Sequence, residues 1–114
     1  INAALEDQAT AAGITLTCGQ SNHEGGLVDT LQAHWGAISG IIINPGALTH
    51  YGLSLRDALA GMDVPIIEVH ISNVYAREAF RHTSVVAPIA TGQIAGLGWR
   101  GYVLALQWFI DRQQ

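Results

Sequence analysis

Glu68 and His70 stand two residues apart in Ile66-Ile67-Glu68-Val69-His70-Ile71-Ser72-Asn73, a β-branched run that turns polar at its end. Residues two apart on a strand share a face. A carboxylate beside an imidazole can hydrogen-bond it and fix its tautomer, which prepares a histidine for proton transfer near neutral pH. Ser72 and the backbone amides after His70 then emerge at the carboxyl end of the strand, where ligands bind in parallel α/β sheets. Weighed alone, these eight residues lean slightly towards a histidine that only satisfies its own hydrogen bonds. Their surroundings reverse that balance.

A second strand end carries polar groups as well. Gly40-Ile41-Ile42-Ile43 runs into Asn44-Pro45-Gly46-Ala47, with His50 shortly after. Asn44 could be a turn residue bonding its own backbone or a side-chain amide offered to a ligand, and the two readings are about even. His50 is most economically a loop histidine, but it joins His70 on one rim. Arg77 and Arg81 are four apart and would share a face on a helical turn. Such a pair usually faces solvent; beside a polar rim it suits a carboxylated or hydroxylated ligand.

Other chemistries fit less well. His23, His50, His70 and Glu68 invite a zinc reading, yet no His-x-x-x-His or Cys-x-x-Cys spacing occurs and His23 belongs to a helix start, so no metal is expected. Gly96-Leu97-Gly98-Trp99-Arg100-Gly101 has the form Gly-x-Gly-x-x-Gly. It falls in the last strand–helix unit without a downstream acidic partner, so its glycines read as a tight turn rather than a phosphate cradle. Cys18 has no basic neighbour and is expected to be inert core.

The elements that must hold these groups are legible from periodicity. Ile1, Ala4, Leu5, Ala9 and Ala12 form a stripe that predicts a first helix, closed by Gly13. Ile14 to Cys18 alternates as a short strand. Ser21-Asn22-His23-Glu24 has capping-box spacing and starts a helix bearing Leu27, Val28, Leu31 and Trp35. Gly40–Asn44 is a strand apolar on both faces, as in parallel sheets. A partly polar loop follows to His50, then a helix placed by Leu55, Ala58, Leu59 and Met62. Asp63-Val64-Pro65 turns into the Ile66 strand, and a polar connection carries Arg77, Glu78, Arg81 and His82. Ser84 to Val86 reads as a short extended piece, Thr91 to Gly96 as a last strand. Tyr102, Val103, Leu106, Phe109 and Ile110 mark a final helix. Alternating strands and helices imply an α/β, flavodoxin-like, doubly wound parallel sheet with helices on both faces. The leading helix has no strand before it, although the first strand of such sheets is usually central. Residues 1–114 are therefore expected to be one domain lacking an N-terminal segment, or to take that strand from elsewhere.

Composition narrows the function. With 114 residues, 49% of them hydrophobic, the chain can bury one real core. A net charge of −4 argues against nucleic acid or an anionic membrane surface as partner. All five basic residues are Arg, which excludes a Schiff-base lysine within this sequence. One Cys makes no internal disulfide, and no apolar run approaches the roughly 20 residues of a membrane span. A soluble cytoplasmic protein is the expectation.

Taken together, the blocks Gln20-Ser21-Asn22-His23-Glu24-Gly25, Ile43-Asn44-Pro45-Gly46-Ala47 with Thr49-His50, Leu55-Arg56-Asp57-Ala58, Glu68 through Asn73, Ala76-Arg77-Glu78 with Phe80-Arg81-His82, and Gly98 through Tyr102 give a chain that resembles the type II 3-dehydroquinate dehydratases in order and spacing over nearly its whole length. The resemblance implies a hydro-lyase of the shikimate or quinate pathway, needing no cofactor, that converts 3-dehydroquinate to 3-dehydroshikimate by anti elimination through an enolate. It implies that His70 is the general acid, oriented by Glu68. Asn44, Ser72 and the amides of Ile71 and Ser72 would hold the substrate carboxylate, and His50 and Arg81 the ring hydroxyls. Arg77 would be a supporting charge. Asp57 would reach a neighbouring subunit's site in a homo-oligomer, a dodecamer built from trimers.

The family's catalytic tyrosine and its arginine partner precede position 1 by this correspondence. Leu48, Tyr51-Gly52 and Tyr75 depart from commoner residues at the rim, without touching the matched catalytic positions. The competing expectation is a catalytically inactive flavodoxin-like binding subunit without the base-bearing segment.

Overall fold

The computed structural model describes residues 1–113. Three parallel strands lie side by side in the order β1 (Ile41–Ile43), β2 (Ile66–His70) and β3 (Gly92–Ala95). Ile43 is level with Glu68, and His70 is level with Ala95. Four α-helices among the described residues cover them: α1 (Asn2–Ala11), α2 (Glu24–Ala33), α3 (Leu53–Gly61) and α4 (Arg100–Arg112).

β2 is the middle strand, and all of its residues are buried, as a strand covered on both faces requires. Its side chains alternate between two layers. Ile66 joins Ile41, Ile43, Leu31, Leu55 and Leu59 on the side of α2 and α3. Ile67 and Val69 pack with Ala105 on the side of α4, and Leu106 and Ile110 of that helix bury Leu5 and Ala9 of α1. The period of two puts Glu68 and His70 on the Ile66 face, at the carboxyl end of the sheet. This is the doubly wound α/β arrangement that the periodicity predicts. Among the described residues no helix is long and apolar enough to cross a membrane.

The glycine run after β3 works as a turn and a close approach. Gly96 and Gly98 take positive φ, +88° and +62°, where a Cβ would be strained. Their amides donate to the carbonyls of His70 (3.2 Å) and Ile71 (3.0 Å), clamping the backbone that leaves β2. Gly101 lets α4 sit tightly on the sheet: a Cβ there would lie 3.1 Å from Val69 Cγ1.

Two expected strands do not form. Ile14 to Cys18 is extended but pairs with nothing among the described residues. Its alternation is real, since Ile14 and Leu16 pack against the α1–α4 cluster; periodicity reports burial and cannot supply a ladder partner. Ser84 to Val86 is a bend, because its polar atoms bond to side chains and to the next turn instead of a neighbouring strand.

The capping box also differs. Ser21 Oγ accepts from the His23 amide (3.1 Å), so an Ser-turn precedes α2. Glu24 reaches across to α3, where its carboxylate accepts from the Leu55 amide at 3.0 Å. It caps its neighbour's first turn rather than its own.

Candidate active site

Glu68 is 0% exposed and His70 5% exposed, at the end of the best-covered strand. A carboxylate in such a place is costly unless every lone pair is engaged. Here they are. His70 Nε2 donates to Glu68 Oε2 at 2.6 Å. Thr49 Oγ1, from the 3₁₀ turn Gly46–His50, donates to the same oxygen. Ser84 Oγ lies 3.1 Å from Oε1 and 3.0 Å from Oε2. Burial is the largest influence on this carboxyl and pushes its pKa up. The bonds from His70 and Thr49, the charge of His70 and the bond from Ser84 together outweigh it, holding Glu68 below the ordinary value of 4.5.

This wiring determines which His70 nitrogen is chemically active. A carboxylate only accepts, so Nε2 carries a hydrogen and Nδ1 is left to exchange protons. Nδ1 has no hydrogen-bond partner among the described residues, and it is not among the sealed atoms without one. The pair is a buried carboxylate behind an imidazole with one working nitrogen.

The strand end beside it is half-exposed. Asn44 follows the last residue of β1, its Oδ1 accepting from the Gly46 amide (3.0 Å) and its Nδ2 donating to Tyr102 Oη (2.9 Å). The turn reading of Asn44 therefore holds, and its amide keeps a second N–H without a partner among the described residues. The Thr49 bond to Glu68 carries the next residue, His50, to the same rim. His50 Nδ1 donates to the Thr83 carbonyl at 2.7 Å, leaving Nε2 as an acceptor, and its ring meets Phe80 edge-on at 5.8 Å.

After β2, Ile71 and Ser72 are exposed, and their amides donate to no backbone or side-chain acceptor among the described residues. Asn73 starts the next 3₁₀ turn, Val74–Ala76, by accepting from the Tyr75 amide at 3.0 Å.

The arginines do not share a helical face. Arg77 is extended (φ −112°, ψ −165°) between the turns Val74–Ala76 and Ala79–His82, so the four-residue spacing has no helix to act on. Arg81 lies over the Phe80 ring (4.8 Å to its centroid), and its Nε donates to Glu78 Oε2 at 2.5 Å. The Nη groups remain available to a ligand. Arg77 is exposed and makes no ion pair among the described residues.

Asp57 stands apart. It is exposed on α3, beside a hollow of about 290 Å³ formed with Leu31, Trp35 and Met62. Cys18, expected in the core, is exposed, on a segment that pairs with no strand among the described residues.

The arrangement sets a carboxylate-backed imidazole beside a rim of hydrogen-bonding groups with unused valences on one parallel sheet. A family model for dehydroquinase class II matches residues 1–110. The chain belongs to this family. It is similar to the 3-dehydroquinate dehydratase of Herpetosiphon aurantiacus, 74% identical over 99% of this chain and 78% of that protein. A 3-dehydroquinate dehydratase of Roseiflexus castenholzii is 69% identical, over 96% of this chain and 70% of its own. Among solved structures, the type II dehydroquinase of Butyrivibrio crossotus superposes with a TM-score of 0.90 at 44% identity, covering 96% of this chain and 77% of that one.

Membership in the dehydroquinase family agrees with the flavodoxin-like sheet seen here. Three residues that hydrogen-bond Glu68 or Asn44 escaped sequence reasoning. Thr49 was visible only as a neighbour of His50, Ser84 read as part of an extended piece, and Tyr102 as one more apolar-face residue of a helix. For Tyr102 a signal existed, since a half-buried phenol needs a hydrogen-bond partner. For Ser84 none did, because its partners lie 16 residues away in sequence.

Proposed function

We propose that this protein dehydrates 3-dehydroquinate to 3-dehydroshikimate by the type II route, with His70 as the general acid. The observation that carries the reading is the buried Glu68–His70 pair, with Nε2 engaged and Nδ1 left over. In the elimination a base takes the proton α to the ketone and the electron pair enters an enolate. The enolate then collapses to the enone as the C1 hydroxyl leaves. His70 gives that oxygen the Nδ1 proton, so the leaving group is water. Glu68 stabilises the imidazolium beforehand and, by accepting from it, holds the remaining hydrogen on Nε2 afterwards.

The rim supplies orientation. The spare N–H of Asn44, the Ser72 hydroxyl and the amides of Ile71 and Ser72 suit a carboxylate. His50 Nε2 and the Arg81 guanidinium suit ring hydroxyls. Arg77 adds positive charge near the connection. Asp57, exposed and away from this rim, is assigned to a neighbouring subunit's site in a dodecamer of trimers. A single twelve-subunit species by light scattering is the expected assembly, and a monomer at working concentration would remove the Asp57 assignment.

Enone absorbance after adding 3-dehydroquinate to the full-length protein tests the reaction, with turnover expected and indifference to chelators. His70→Ala is expected to lose about 10²- to 10⁴-fold in kcat, the usual range for a positioned acid. Undiminished turnover by that variant would withdraw His70 from the role.

A further inference from the structure

Ser84 Oγ makes more contacts than a serine in a bend needs. It accepts from the amides of Val86 (3.1 Å) and Ala87 (2.9 Å), which opens the 3₁₀ turn Ala87–Ile89. A hydroxyl has two lone pairs and one hydrogen. Both lone pairs are taken by those amides, so the hydrogen has to go to an acceptor, and the Glu68 carboxylate lies 3.0 Å from it. Thr49 Oγ1 is 3.2 Å from Ser84 Oγ. With the serine lone pairs filled, the threonine cannot donate there, and its hydrogen too is directed to Glu68 Oε2. Among the described residues the carboxylate has no arginine partner, and the ionisable group it pairs with is His70.

We propose that Ser84 and Thr49 are positioning residues that together fix the proton arrangement of the Glu68–His70 pair. Two backbone amides lock the serine hydroxyl, the serine steers the threonine, and both aim their hydrogens at Glu68. Glu68 thereby stays a carboxylate, Nε2 of His70 keeps its hydrogen, and Nδ1 is the atom presented to substrate. Without the two donors, His70 alone opposes the burial that pushes the Glu68 pKa up. Glu68 then takes up a proton more readily; once protonated its O–H donates a hydrogen bond to Nε2, and the neutral imidazole carries its hydrogen on Nδ1 without a negative charge behind it. Such a histidine holds a hydrogen at the right atom but lacks the carboxylate that stabilises its imidazolium.

The inference rests on the general-acid reading of His70, and its test separates the two. Histidine ¹⁵N shifts in the full-length protein report the tautomer without any substrate. The wild type is expected to show an unprotonated Nδ1 in its neutral form. Thr49→Val, which keeps the side-chain shape, and Ser84→Ala should each move the signal towards Nδ1–H, and the double variant should complete the change. In the enone assay each single change is expected to lower kcat roughly tenfold with KM within about twofold, the pattern of an interaction made chiefly in the transition state. Ser84→Thr should restore both readouts. Unchanged ¹⁵N shifts in the double variant would overturn the proposal even if kcat fell, since a fold-supporting serine alters activity without altering the tautomer. A tautomer switch in a protein whose His70→Ala variant turns over normally would keep the proton arrangement and remove the acid role instead.

Discussion

The two strand ends that form the rim are built to different standards. At the end of β2, Glu68 receives hydrogen bonds from three side chains drawn from three segments, and no solvent reaches it. At the end of β1, Asn44 and His50 each make a bond or two and keep an unused polar atom. Proton transfer needs a group held in one state before substrate arrives, because reorganisation during the reaction adds to the barrier. Binding needs groups whose valences are completed by the ligand. On the proposed function, the finished end is therefore expected to govern kcat and the unfinished end KM.

The largest effect that could break this division is at Glu68. Glu68→Gln removes the charge behind His70 while keeping shape, and kcat is expected to fall about 10²-fold with KM little changed. The same variant changes acid stability. The carboxyl's pKa is depressed in the folded state by His70, Thr49 and Ser84, which outweigh burial. Its contribution to stability is therefore fully present above pH 4.5 and lost as pH falls through the folded value. Denaturation followed by circular dichroism should show the wild type losing stability across that acid window and Glu68→Gln losing less. A parallel acid limb in both proteins would contradict the depressed carboxyl.

At the unfinished end effects should be smaller and of the other kind. Asn44→Ala removes the N–H proposed to hold the substrate and is expected to raise KM about tenfold, the value of one such bond, with kcat within a few-fold. A loss confined to kcat would dissolve the distinction between the two ends. The mildest change is Tyr102→Phe, which deletes the hydroxyl that holds Asn44 (2.9 Å). KM should rise about two- to fourfold and the ¹⁵N tautomer of His70 should not move. A shifted tautomer would mean that the ends are coupled through α4.

Legibility follows the same line. The pairing of Glu68 with His70 could be read from a two-residue spacing because strand geometry alone puts them on one face. The central strands and all four helices could be read from apolar periodicity for a similar reason. Thr49 and Ser84 could not, since the bonds that matter span 19 and 16 residues and depend on irregular turns. Arg77 and Arg81 misled for the opposite reason. Their spacing is meaningful only on a helix, and the connection breaks at Arg77. The Ile14–Cys18 alternation reported a buried face correctly and a strand incorrectly, as any local pattern must when the hydrogen-bonding partner is non-local.

Glu24 bears on how the chain reaches this structure. Its carboxylate caps α3 from α2, across 31 residues, and Gly52 leaves it room, since a Cβ there would come within 3.1 Å of Glu24 Oε2. The first turn of α3 is thus incomplete until α2 has docked. The two helices should protect their amides from exchange as one cooperative unit. A chain interrupted between them would leave α3 fraying at the end that leads from the Gly46–His50 turn, and with it the threonine that reaches Glu68.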